Sequence, residues 1–357
     1  MSSSEARAQA AGEAGAPVSR ATPAGWRRFL LAAGLALLVC LIAVVGRIVW
    51  FDAYWVFRTS PPWLSETAGS NRLLDRQTRR AKTLQALTRS YTVAFLGSST
   101  TYHGLDPDDV DPPLRGAVFN AGISAVIAEE LPLVAAVIAS RPRLERVAVG
   151  LDYYMFSRGD VPVRLSGSLD TGVGRANTLL GAALSRYALL DSHLGAVEGA
   201  DDPGSWTFAG FRVTPPLPPA LTLQNDAIRR RTAAPYRPET LAALERTLDR
   251  LQGRRIDVYL APVSDAQRRV LADAGLLGDF ARWREDVARV AAARGVGFAD
   301  LADEGSRFPF DPARGSTEHW LDNLHFTPLI GRTILERFGL RSGAGSTANG
   351  PGRADER

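Results

Sequence analysis

Val93-Ala94-Phe95-Leu96-Gly97-Ser98-Ser99-Thr100 is the stretch from which the rest of the chain can be read. Four apolar residues, strand-like in length, run into Gly-Ser-Ser, residue types that end strands and open turns. Two further runs repeat the pattern. Ala117 to Asn120 stops at Ala121-Gly122, and Arg146 to Leu151 stops at Asp152. Ala128 to Ser140 has the makings of a helix between them, and Leu241 to Leu251, Val258 to Leu260, Phe280 to Ala293 and Gly297 to Leu301 continue the alternation. Strands alternating with helices imply an α/β fold with a parallel sheet flanked by helices. In such open sheets the ligand crevice lies beyond the carboxyl ends of the strands. That places Ser99, Gly122 and Asp152 on one edge.

A serine at a sharp strand-to-helix break is exposed, with its own N–H aimed at any oxyanion that forms on its partner. It becomes a nucleophile only when a base takes its proton. The chain has four histidines, His103, His193, His319 and His325. His325 is the best placed, because Asp322 precedes it by three residues and one short turn lets that carboxylate hold Nδ1 while Nε2 faces the serine. His319 beside Glu318 is a rival base or a neighbour that shapes the loop. His103, four residues past Ser99, is either a substrate contact or a solvated surface histidine, and His193 falls in a helix as a structural residue. None of these has the close His-x-x-His type of spacing that a metal site needs, so neither a metal nor any other cofactor is expected. Taken alone, a Gly-Ser-Ser turn or an Asp-x-x-His loop is ordinary turn chemistry. Their order along an α/β alternation carries the inference.

Gly97-Ser98-Ser99, Asn120-Ala121-Gly122, Gly150-Leu151-Asp152 and Asp322-Asn323-Leu324-His325 together resemble the four sequence blocks of the SGNH (GDSL-type) hydrolases. The resemblance implies a three-layer flavodoxin-like parallel sheet, an acyl-enzyme mechanism, and a catalytic triad of Ser99, Asp322 and His325. The oxyanion hole would be built from the backbone of Ser99 and Gly122. Ser98 replaces the aspartate usual in the first block, as in membrane-anchored members of the family. Asp152 stands where an oxyanion-donating asparagine is expected, and an ionised carboxylate cannot donate to a developing negative charge. Either Asp152 is protonated, or another group such as the Asn120 amide supplies the donor, or the hole is weaker. Ser98, His103 and Asp152 are candidate substrate contacts.

The flanks bear on location. Phe29 to Gly46 is a run of eighteen uncharged, mostly apolar positions bordered by Trp26 on one side and by Trp50, Tyr54 and Trp55 on the other. Such a run suits a membrane span with interfacial aromatic belts. No small-x-small cleavage site follows it, which favours a retained anchor over a signal peptide. Cys40, the single cysteine, lies inside the run after Val39, a poor setting for a lipoprotein and a natural one for a packed membrane residue. Arg20, Arg27 and Arg28 before the span favour a cytoplasmic N-terminus and an extracytoplasmic globular part. The expected organisation is a disordered tail over 1–25, a transmembrane helix over 26–51, a juxtamembrane linker and helix over 52–90, an SGNH-like domain over 91–340 and a disordered tail over 341–357. Residues 155–236 break the alternation and read as an insertion containing a helix over Asn177 to Val197 and a Pro-rich loop. This insertion either selects substrate or merely covers the fold.

A net charge of +4 from 42 basic and 38 acidic residues, with the basic ones scattered, gives no support to nucleic-acid binding. The expected function is therefore an ester hydrolase or O-acyltransferase on the outer side of the membrane. Its resemblance to the tethered proteins of alginate acetylation and teichoic-acid D-alanylation implies an acylated cell-surface carbohydrate or small molecule as substrate, with a membrane acyltransferase as candidate partner. The alternative is a catalytically weak or inactive module of the same fold that binds a polysaccharide or a membrane protein.

Overall fold

The computed structural model of the chain describes residues 23–52, 54–56, 72–158, 162–184, 189–191 and 205–342. Both expected disordered tails fall almost wholly outside these residues, as does His193. The chain divides into two compact units, Met1–Arg47 and Ile48–Arg357. In the first, the helix Pro23–Phe51 begins, and its segment Ala24–Trp50 has a mean hydropathy of 2.9 over its most apolar window and is long enough to cross a membrane. Leu31 and Leu37 on it are 73% and 72% exposed. A membrane anchor and a signal sequence share these properties.

The second unit is a mixed α/β structure. Its strands are β1 (Val93–Leu96), β2 (Val118–Asn120), β3 (Arg146–Leu151), β4 (Ser205–Trp206), β5 (Arg212–Val213), β6 (Arg255–Leu260) and β7 (Gly297–Asp300). Five of them form a parallel sheet in the order β2-β1-β3-β6-β7, while β4 and β5 make a separate antiparallel ribbon. In register, Phe95 lies opposite Asn120 and Ala148, and Leu151 opposite Leu260. The chain leaves β1 toward β2 on one side and returns to β3 on the other. That reversal opens a crevice at the carboxyl ends of the strands.

Side-chain alternation along the strands divides the core in two. Ala94, Leu96, Val147, Val149, Val258 and Leu260 pack with Val134, Leu244, Phe280 and Trp283. Those partners come from the helices Leu131–Ala139, Leu241–Arg250 and Leu277–Ala293. Val93, Phe95, Ala148, Tyr259 and Ala299 pack in a second cluster with Ile330 and Ile334 of the helix Pro328–Arg337. Burying each large apolar side chain contributes about 1.5–3 kcal/mol. Leu244 with Leu248, and Phe280 with Trp283 and Val287, recur at the spacing that lines one helix face.

Several boundaries differ from expectation. The helix expected from Ala128 starts at Leu131, after a 3-10 turn over Ala128–Glu130, because Pro132 is tolerated in a first turn. Over 155–236, the expected helix Asn177 to Val197 begins earlier, at Gly172, where Thr171 Oγ1 accepts a hydrogen bond from the N–H of Gly174 at 3.0 Å. Its described part ends at Leu184, and most of the rest lies outside the described residues. The Pro-rich segment is not simply a loop. Pro219 opens a second helix, Pro219–Thr232, as prolines do at the first helical position.

The polar stretch before the sheet forms the helices Arg72–Arg76 and Thr78–Thr88. Ala81, Leu84 and Leu87 of the second are buried, and so is Lys82, the only lysine. Lys82 Nζ donates to the carbonyl of Asn120 at 2.7 Å and to that of Gly210, and sits 4.6 Å from the ring centre of Trp206. One side chain thus ties this helix to the end of β2 and to the β4–β5 ribbon, although burial, followed by the charge of Arg89, lowers its pKa well below the ordinary lysine value.

Candidate active site

The turns after β1, β2 and β3 and a loop near the C-terminus bring the site together. After β1, Ser98 caps the short helix Ser99–Gly104, its hydroxyl accepting from the N–H of Thr100 at 3.1 Å. Gly97 lets this turn pass against the Thr101 side chain and the Gly150 carbonyl, a space that a Cβ would fill. Ser99 is the first helical residue, so its N–H lacks an intrahelical acceptor.

Near the C-terminus, Trp320 and Phe326 pair across a tight loop, and Leu321 N–H donates to the His325 carbonyl at 2.8 Å. Both aromatic rings are fully buried, which anchors the loop on the second core cluster. Inside it, Asp322 Oδ1 accepts from the N–H groups of Leu324 and His325 at 2.8 and 2.9 Å. This local turn fixes the carboxylate before any distant contact is made. His325 Nδ1 lies 2.9 Å from Asp322 Oδ2, and its Nε2 lies 2.8 Å from Ser99 Oγ. Burial pushes the Asp322 carboxyl up, but the charge and hydrogen bonds of His325, together with Arg229, outweigh it and hold Asp322 well below the usual carboxylate range. An ionised Asp322 keeps Nδ1 protonated and leaves Nε2 free to accept the serine proton.

The other residues singled out in the sequence take different places. Asn120 is fully buried, and its amide donates to the carbonyls of Thr101 and Leu105 at 2.9 and 2.8 Å. Both amide protons are thereby engaged, which corrects the expectation that Asn120 could supply an oxyanion donor. The Gly122 N–H donates to Asn120 Oδ1 at 3.0 Å, so it is also engaged in this structure. Ser98 and Asp152, expected as substrate contacts, are 0% and 4% exposed and face each other instead. Asp152 Oδ2 accepts from the Ser98 hydroxyl and, at 2.9 Å, from Thr100 Oγ1. The Ser98 hydroxyl thus caps the helix and bonds Asp152 at once. Burial raises the Asp152 pKa, an effect partly offset by those two hydroxyl donors.

His103 is not a solvated surface residue. It is partly buried, its ring 5.0 Å from that of His325 and its Nδ1 3.0 Å from Thr214 Oγ1. Burial, followed by the neighbouring His325, lowers its pKa well below the ordinary histidine value, which keeps the ring neutral. His319 stacks on Phe308 at 4.2 Å between ring centres, with Glu318 3.6 Å from its Nδ1. Among the described residues no group of three or more His, Cys, Asp or Glu side chains could hold a metal ion.

Three participants were not foreseen, and all come from residues 154–229. Asn225 Nδ2 donates to Asp322 Oδ2 at 2.8 Å. Arg229, one helical turn further, has its guanidinium 5.9 Å from the ring centre of Tyr154 and acts on Asp152 and Asp322 by charge. Tyr154 lies three positions beyond the end of β3 at Leu151. The helix bearing Asn225 and Arg229 is held where Thr222 Oγ1 donates to the Pro312 carbonyl at 2.6 Å.

No family model matches the chain, and no curated protein matches it. A solved structure from Streptococcus pneumonia, named for platelet activating factor, is similar at 12% identity, over 75% of this chain and 94% of that one, with a TM-score of 0.38. Overlap of that extent decides nothing about activity.

Proposed function

We propose that the protein is a serine ester hydrolase or O-acyltransferase of the SGNH type, with the three-layer flavodoxin-like arrangement of that family, tethered by its N-terminal helix with the globular part outside the cytoplasm. The observation that carries this proposal is the continuous hydrogen-bonded path from Asp322 through His325 to Ser99, with both links at 2.8 to 2.9 Å. Ser99 Oγ attacks an ester carbonyl and gives its proton to His325 Nε2. The carbonyl π pair moves to oxygen as an oxyanion near the Ser99 N–H. Collapse of that intermediate breaks the bond to the leaving oxygen, which receives the proton from His325. An acyl-enzyme remains. Water would complete a hydrolysis, and a sugar hydroxyl would complete a transfer.

The substrate class we favour is an ester-linked acyl group on a cell-surface carbohydrate, supported by the tether and by the resemblance of the four sequence blocks. A membrane acyltransferase would then be the natural supplier of the acyl group. Asp152 in place of an asparagine, together with the engaged N–H of Gly122, favours a second reading, a weakly active or inactive module that binds polysaccharide or a membrane partner. A fluorophosphonate probe separates the two on the full-length protein in detergent. Labelling is expected at Ser99, abolished in Ser99→Ala and kept in Ser98→Ala. Absence of labelling in the wild type would support the binding module.

A further inference from the structure

Tyr154 lies in the short turn Tyr153–Phe156 that opens at Asp152. Its hydroxyl oxygen is buried and has no hydrogen-bond partner among the described residues. Other buried side-chain atoms of this protein, such as Trp283 Nε1, are left in the same way, so what sets the Tyr154 hydroxyl apart is its place beside Ser98 and Ser99. The neighbouring Tyr153 behaves ordinarily, donating to the Ala234 carbonyl at 3.1 Å. The Tyr154 hydroxyl faces the Ser98 and Ser99 side chains, close enough for weak hydrogen-bonding contact but without the alignment of a full hydrogen bond, and it also feels the Asp152 charge. Burial, and then the Asp152 carboxylate, raise its pKa, so the phenol keeps its proton through the working range. The Arg229 guanidinium over the ring face draws on its electron density and favours O–H donation.

The oxyanion site lacks donors of the expected kind. Asp152 receives hydroxyl hydrogen bonds instead of giving one, Asn120 has committed its amide, and the Gly122 N–H is bound to Asn120 Oδ1. We infer that the Tyr154 hydroxyl donates a hydrogen bond to the oxyanion formed on the ester bound to Ser99, in the role that an asparagine fills in the SGNH pattern. This inference rests on the serine-esterase function proposed above. As the bond from Ser99 Oγ to the carbonyl carbon forms, the serine proton passes to His325 and the carbonyl π pair becomes the oxyanion lone pair. Tyr154 keeps its proton throughout. The donor is a catalytic residue.

The test is Tyr154→Phe in the full-length protein, which removes one oxygen and keeps the ring. With p-nitrophenyl acetate, kcat is expected to fall on the order of 100-fold, with KM within about twofold of wild type. Inhibition by phenylboronic acid, which forms a tetrahedral anion on serine, should weaken by a similar factor. Thermal stability should change little, because the contacts of this hydroxyl with Ser98 and Ser99 fall short of full hydrogen bonds. A variant with wild-type kcat, its Ser99 still labelled by fluorophosphonate, would overturn this inference alone. A loss of kcat that comes with a lower melting temperature would assign Tyr154 to packing and overturn it as well. Wild-type protein that neither labels at Ser99 nor turns over ester would overturn the parent proposal and this one together.

Discussion

Ser99 Oγ and His325 Nε2 stand 2.8 Å apart although 226 positions separate them in the chain. The meeting depends on two independently ordered loops. One is a capped strand-to-helix turn after β1, and the other is pinned by the buried rings of Trp320 and Phe326. Each loop has its own local bonds, so the hydrogen bond between them has little further chain to order.

Asp322 holds His325 and is itself held by Asn225. Asp322→Asn is expected to lower kcat by about 10⁴-fold, because the amide favours the wrong imidazole tautomer. Asn225→Ala removes one hydrogen bond to a charged group, worth about 1.5–3 kcal/mol, and is expected to lower kcat at least tenfold. Ester turnover measures both. Wild-type kcat in Asn225→Ala would show that the helix Pro219–Thr232 has no part in orienting the dyad.

Asp152 makes stability depend on pH in a defined direction. Its pKa is raised on folding, chiefly by burial. The folded state therefore holds this proton more tightly than the unfolded chain, where a carboxyl titrates near 3.9. The associated stability is complete below about pH 3.9 and is lost as pH rises through the folded value. Asp152→Asn does not titrate, so the melting temperature of the variant relative to wild type should rise between pH 4 and pH 7. A flat or falling difference would exclude a buried carboxylate under strain at that position.

Lys82 satisfies two buried carbonyls among the rings of Trp206, Phe119 and Tyr102. Lys82→Met keeps much of the aliphatic bulk and leaves the Asn120 and Gly210 carbonyls without this donor. The expected cost is about 2–4 kcal/mol, read as a lowered melting temperature of the full-length protein. Because Asn120 in turn positions Gly122, turnover should fall too. Unchanged melting would mean that water replaces the lysine nitrogen without loss.

Topology has its own test. A phosphatase reporter joined after residue 340 is expected to be active only if the globular part lies outside the cytoplasm. Activity of a cytoplasm-dependent reporter at the same junction would reverse the orientation inferred from Arg20, Arg27 and Arg28.

What could be read from residues alone was whatever is decided within a few positions. The apolar runs at 93–96 and 146–151 are strands, and the Asp-x-x-His turn closes on itself through the N–H groups of Leu324 and His325. The apolar segment near the N-terminus announces itself by length and hydropathy. Pattern and local hydrogen bonding suffice in each case, because the energy that selects the conformation comes from the same short stretch.

Tertiary structure alone decided the rest. The helix Pro219–Thr232 is polar, with Thr222 as its buried residue, and shows little of the apolar periodicity that marks a helix in sequence. Its Asn225 and Arg229 reach Asp322 and Tyr154 because the helix is seated from outside, Thr222 Oγ1 on the Pro312 carbonyl and Leu217 against Ser316. Asn120 and Asp152 likewise owe their partners to neighbouring strands brought side by side. Which donor meets which acceptor among buried polar groups is settled by the enclosure that packing creates. That enclosure is a property of many distant residues at once, and no short segment carries it.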